Sequence, residues 1–176
     1  MGILRKIIGS DTTTDVLDLL TAQHKEVDSL IERLERGEGN RRALFTELAD
    51  KLAAHATVEE KIFYPFVMGN ETSELLHESV EEHLAMKRTL ADMITMRLDH
   101  ETFFAKLSVL KEQIAHHAHI EEEDKLFPKV RQLFSRDERA GIGNELLAMF
   151  EELLLSHPAK NVPNETSAAA PLPARR

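Results

Sequence analysis

The sequence predicts an all-α protein: an up-down-up-down four-helix bundle with a short fifth C-terminal helix and a disordered tail. Three observations predict it. Apolar residues recur at steps of three and four through four long stretches, the spacing of one buried helix face. The links between the stretches are a few residues long, which packs successive helices as antiparallel neighbours. No alternating run long enough for a strand is present.

Residues 1–11 read as a short basic, partly apolar arm. Asp11, Thr12, Thr13 and Thr14 offer N-caps to a first helix over about 13–36. Gly37-Glu38-Gly39-Asn40 supplies the stop. A second helix over about 40–68 ends at Gly69-Asn70, with a kink or ragged end expected at Pro65. A third covers about 72–98, and Asp99-His100 links it to a fourth over about 101–134. Ser135 and Asp137 start a fifth helix running to about 155, weakened by Gly141 and Gly143. The bundle and fifth helix thus make one domain, 12–156. Residues 157–176, rich in proline, read as a disordered tail.

Composition narrows the chemistry. The chain has 176 residues, about one domain, and no cysteine. Thiolate metal sites, disulfides and thiol nucleophiles are excluded, so any metal must be held by nitrogen and oxygen. Lys plus Arg is 22 against 31 Asp plus Glu, a net charge of −9. Without a basic stripe, nucleic acid is not an expected partner. No apolar run approaches the ~20 residues of a membrane span, and no secretory signal is evident, so a cytoplasmic protein without membrane association is expected.

The helical stripes carry an anomaly. They run Leu17, Leu20, His24, Val27, Ile31; then Leu48, Leu52, His55, Glu59, Ile62; then Leu76, Ser79, His83, Met86, Leu90; then Leu107, Leu110, Ile114, His117. Each predicted helix aims one histidine at the core, and at least two also aim a carboxylate. A buried imidazole or carboxylate without a partner costs several kcal/mol. Four that converge need a shared partner, and a metal is the simplest. His55 and Glu59 stand one turn apart on one face. Imidazole and carboxylate without thiolate suit iron or manganese and also accept zinc.

An internal repeat supports convergence. Glu59-Glu60-Lys61-Ile62-Phe63-Tyr64-Pro65 is similar to Glu122-Glu123-Asp124-Lys125-Leu126-Phe127-Pro128, and the surroundings of His24 to those of His83. Two helical hairpins related by an approximate twofold would gather the histidines around one midpoint, the geometry of a dinuclear site.

These residues resemble the hemerythrin-like family of HHE cation-binding domains, over about 13–135. The features that carry the resemblance are His24, His55-x-x-x-Glu59 ahead of Phe63-Tyr64-Pro65, Glu82-His83, and His117-x-x-x-x-Glu122 ahead of Leu126-Phe127-Pro128. The resemblance implies a four-helix bundle with two non-haem irons and a bridging oxo or hydroxo group. It implies His24, His55, His83 and His117 as terminal ligands and Glu59 and Glu122 as bridging carboxylates. Oxygen carriers of the family have a further histidine where this chain has Ser79, which leaves a position for water or substrate. His117 and Glu122 are five apart rather than four, and the apolar stripe slips by one there, the mark of a π-bulge. Glu121 is the alternative if the helix is regular.

The implied function is binding of dioxygen or a related small redox molecule, such as nitric oxide or peroxide. Two alternatives stand beside it: an enzyme that decomposes peroxide or oxidises ferrous iron, and a metal or redox sensor acting through an unknown protein partner. His116 and His119 are expected to face outward or support the ligands. His77, His100 and His157 are expected on the surface. Glu78 points away from the core on an ideal helix, and Tyr64 reads as a packing and capping residue.

Overall fold

The computed structural model describes residues 14–174, and every regular element among them is helical. The N-terminal arm and the proposed caps at Asp11, Thr12 and Thr13 lie outside the described residues. Helix α1 (Val16–Glu35) is capped instead by Asp15, whose carboxylate accepts the Leu17 N–H at 3.0 Å and also receives Arg139. Its end is the expected glycine stop. Gly37 takes a positive φ of 68°, and the Glu38 N–H returns to the Arg33 carbonyl.

Helix α2 (Arg41–Val58) starts at Asn40, whose side chain accepts the Ala43 N–H. It widens into a π segment, Glu59–Phe63, and continues as α3 (Tyr64–Val67). Helix α4 (Ser73–Thr95) and α5 (Phe103–Ala115) follow. A second π segment, His116–Leu126, then leads into α6 (Phe127–Leu133). The bulge expected between His117 and Glu122 is therefore present, and a second one, not anticipated, matches it in the other half. Each π segment ends just before a proline. A proline ring clashes with the carbonyl four residues back and offers no N–H to it. Widening the helix relieves both: Tyr64 N–H bonds Glu59 O, and Phe127 N–H bonds Glu122 O, five residues back in each case.

Helix α7 (Arg136–Leu155) opens on a capping box between Ser135 and Glu138 and packs on α1 and α2. Gly143, expected to weaken it, permits the contact: a Cβ there would collide with the Thr14 carbonyl oxygen and lie 2.9 Å from Val16 N.

The tail expected to be disordered is packed. A 3₁₀ helix, Pro158–Glu165, lies against α2 and α4, with Pro158, Ala159 and Val162 buried. Farther on, Ala169, Ala170 and Leu172 rest on the core. Composition misled here because prolines that cannot sit inside an α-helix are compatible with a tight 3₁₀ turn, and a three-residue repeat puts Ala159 and Val162 on one face. Polar contacts fix the segment. His157 turns left-handed, with φ 52°, and its Nδ1 lies 2.8 Å from Asp50, which also accepts the Ala159 N–H. Lys87 pairs with Glu165 at 3.0 Å, and Arg88 donates to the Thr166 carbonyl.

Two apolar clusters fill the bundle. One gathers Leu17, Leu20, Val58, Phe63, Leu76 and Phe127, and the other Val27, Ile31, Leu48, Leu90, Leu107 and Ile114. His24, His55, His83 and His117 fall between them in sequence on every helix, so a buried polar layer separates the two cores.

Candidate metal centre

The polar layer brings together all six residues expected at the site. His24, His55, Glu59 and Glu122 form one group, and Glu59, His83 and His117 a second, with Glu59 common to both. All six are buried, Glu59 and Glu122 completely. Each imidazole turns Nε2 inward. Nε2 of His24 lies 3.2 Å from Glu122, and Nε2 of His55 and of His83 each lie 3.2 Å from Glu59. The Nε2 atoms of His83 and His117 are 3.0 Å apart.

The inward atoms are short of partners. His24 Nε2, His55 Nε2, Glu59 Oε1 and Glu122 Oε2 are buried without a hydrogen-bond partner among the described residues. Each such group costs about 1–3 kcal/mol if left so. Orphaned nitrogen and oxygen lone pairs aimed at one small volume are the donor set a divalent or trivalent cation requires. The residues therefore fit a metal ion.

The second π segment decides between the adjacent carboxylates. It turns Glu122 inward and leaves Glu121 against Lys125 and His116, away from the other inner residues. His116 is half-exposed and pairs with Glu82, while His119 pairs with Asp28 and Glu123. Both therefore stand outside the inner set. Glu78, His77 and His100 are exposed.

The sequence reading missed one inner residue. Tyr64, a packing and capping residue by sequence, is fully buried with its hydroxyl among the inner His and Glu side chains: 3.0 Å from Glu122, 3.3 Å from His83, and 3.4 Å from Glu59 and from His117. Burial and the adjacent Glu122 and Glu59 raise its pKa well above the ordinary value, so without a cation the phenol keeps its proton and donates. The first π segment puts it there. Five residues make roughly one turn of a π-helix, so Tyr64 stands over Glu59.

The outward nitrogens were also missed. Nδ1 of His24 meets Glu123 at 2.7 Å, that of His83 meets Glu60 at 3.0 Å, and that of His117 meets Glu82 at 2.7 Å. Nδ1 of His55 meets the Gln23 amide oxygen at 2.8 Å instead. Such partners fix the tautomer and leave Nε2 free to coordinate. The repeat contained the signal: Glu60 and Glu123 directly follow the inner carboxylates, and Gln23 and Glu82 directly precede a histidine.

Electrostatics follow the same pattern. Burial works against charge on His24, but contacts with Glu122 and Glu123 outweigh it and raise its pKa to about 9. His117 likewise rises to about 10, against burial, through Glu122, Glu59 and Glu82. At His55 burial prevails over Glu59 alone, aided by the other imidazoles, and its pKa falls to about 3. Glu59 is held well below the carboxylate range despite burial, because His55, His117 and His83 surround it. Burial and the proximity of Glu59 raise Glu122.

A small apolar cavity of about 40 Å³ opens on this layer. The four histidines and Lys87 meet it, and Val27, Leu52, Met86, Leu90, Ile114 and Val162 wall it. Val162 belongs to the packed tail, which therefore forms part of the wall.

No curated protein matches the chain. Among solved structures, a Hemerythrin HHE cation binding domain-containing protein from Mycobacterium kansasii is similar in fold, with a TM-score of 0.71 and 21% identity over 81% of this chain and 89% of that one. The model of the Hemerythrin HHE cation binding domain matches residues 15–130, about two thirds of the sequence and all six inner His and Glu residues. The chain belongs to the hemerythrin HHE cation-binding domain family.

Proposed function

We propose that this protein is a non-haem di-iron protein that binds dioxygen or a related small redox molecule in the core of an up-down-up-down bundle. His24, His55, His83 and His117 are the terminal ligands. Glu59, common to both groups, and Glu122 would hold the ions together with them. The observation that carries the reading is the apolar cavity of about 40 Å³ lined by all four histidines. A volume of that size admits a diatomic molecule or a few waters, and its walls offer water almost nothing to bond.

The iron pair, when bound, supplies reversible redox changes at adjacent metals. The protein supplies the rest. Carboxylates on Nδ1 orient three imidazoles, and the apolar walls exclude bulk water. Tyr64 holds a proton at its hydroxyl within 3.0 Å of Glu122. Anaerobic ferrous protein should develop a near-ultraviolet and visible absorption band on exposure to oxygen and lose it on deoxygenation. Absence of any band in protein verified to contain two irons would refute the binding reading.

Tyr64 favours a second reading, an enzyme that decomposes peroxide. That chemistry must move protons between oxygen atoms, and Tyr64 is a hydroxyl donor at the centre of the site. Gas evolution on adding hydrogen peroxide, slowed in Tyr64→Phe at equal iron content, would support this reading over simple binding.

A further inference from the structure

The two halves of the centre follow an approximate twofold down to the outer hydrogen bonds, and two of the residues that surround the histidines break it. His24 with Glu123 mirrors His83 with Glu60, each histidine using the carboxylate that follows the inner glutamate of the other hairpin. His55 with Gln23 mirrors His117 with Glu82, each using the residue that precedes the histidine of its own hairpin. At the last pair a neutral amide stands where symmetry calls for a carboxylate. The second break is Tyr64, whose mate before the other proline is Phe127. Tyr64 reaches His83 and His117, whereas Phe127 stacks on His24 with ring centroids 6.2 Å apart.

Both of these breaks have the same sign, and they act against a third, since Glu122 lies 3.2 Å from Nε2 of His24 but 3.9 Å from that of His117. The position bounded by His83 and His117 has two carboxylate-backed imidazoles and a phenol. The position bounded by His24 and His55 has one carboxylate-backed imidazole, one amide-backed imidazole and a phenyl ring. A carboxylate on Nδ1 raises the basicity of a ligating imidazole, and such partners change metal affinity about 10–100-fold. Gln23 is buried, as is the His55 it serves, so a glutamate there would bring a further charge into the dry core.

We propose that Gln23 is a positioning residue that makes the two metal positions unequal, leaving the one at His24 and His55 as the weaker and the first to empty. The inference rests on the dinuclear reading. Its test is stepwise removal of ferrous iron from the fully loaded, anaerobic protein by a colorimetric ferrous chelator.

Wild type should release its irons in two steps whose midpoints differ at least ~10-fold, the lower end of the range for such partners. A crystal of the half-depleted protein should show anomalous scattering at His83 and His117. Gln23→Glu should bring the steps together, and Gln23→Met, similar in volume but unable to accept the Nδ1–H, should spread them further. Opposite shifts distinguish a hydrogen-bond acceptor from a space-filler, which would move both variants the same way. Helical circular dichroism of each variant confirms folding, and if Gln23→Glu does not fold, the Met variant and the half-depleted crystal decide. Two irons leaving in one step, or the iron at His83 and His117 leaving first, would overturn the proposal while preserving the dinuclear reading. A wild type that never binds two irons would overturn the dinuclear reading itself.

Discussion

At the scale of single residues, the centre is a set of exchanges in which one group fills another's place. Ser79 stands where oxygen carriers have a histidine, and the sequence suggests an open coordination position there. The structure fills that neighbourhood. Ser79 is buried, its hydroxyl bonds the Leu75 carbonyl at 2.9 Å, and the Tyr64 hydroxyl comes within its reach. Ser79→His would therefore have to displace the phenol. Overpacking of this kind costs about 1–3 kcal/mol, and the metal-free variant should lose that much in urea titration. Unchanged stability would show that an imidazole fits beside Tyr64. The sequence could not reveal this exchange. Tyr64 and Ser79 are fifteen positions apart, and only the π segment brings the phenol round.

At the scale of elements, the main departures from regular helices come ahead of Pro65 and Pro128, and they aim the chemistry. The one-residue slip between His117 and Glu122 was legible because it displaces an apolar stripe. The widening at Glu59–Phe63 was not, because His55 and Glu59 keep regular spacing and the π turn begins only at Glu59. Helix α7 offers a sharper test of element packing. Gly143 is pressed against the backbone of Thr14 and Val16, whereas a Cβ on Gly141 would meet nothing within 4 Å. Gly141→Ala should stabilise the protein by up to about 1 kcal/mol, the helix-propensity gain. Gly143→Ala should destabilise it by at least ~1–3 kcal/mol, because backbone must move. Chemical denaturation of the pair checks both signs, and equal responses would place the α1–α7 contact elsewhere.

At the scale of the whole molecule, a polar layer between two apolar clusters links stability to pH and to metal. Without metal, His24 and His117 have pKa values raised to about 9 and about 10, while that of His55 is lowered to about 3. The raised pair contributes stability below the ordinary histidine value, and that contribution is lost as pH rises through about 9 to 10. The lowered His55 contributes above its ordinary value, and its share is lost as pH falls towards about 3. The melting temperature of metal-free protein should therefore peak near the ordinary histidine pKa of about 6.5. A monotonic rise from pH 5 to 9 would contradict these environments. The bundle and its histidine stripes were legible because periodicity is a local signal. The tail was not, since its order depends on Asp50, Lys87 and Arg88, which lie about 70 to 110 positions earlier.

The central claim is that one carboxylate, Glu59, joins two metal positions. Iron content per chain of wild type, Glu59→Gln and His100→Ala, each loaded anaerobically and freed of excess metal, tests it most directly. Glu59→Gln preserves volume and packing, and His100 is exposed, with its ring nitrogen Nδ1 at 2.9 Å from the Thr102 hydroxyl. The account predicts two irons in wild type, two in His100→Ala, and fewer than one in Glu59→Gln, because both groups share that residue. Two irons retained by Glu59→Gln, or a single iron in wild type, would contradict it.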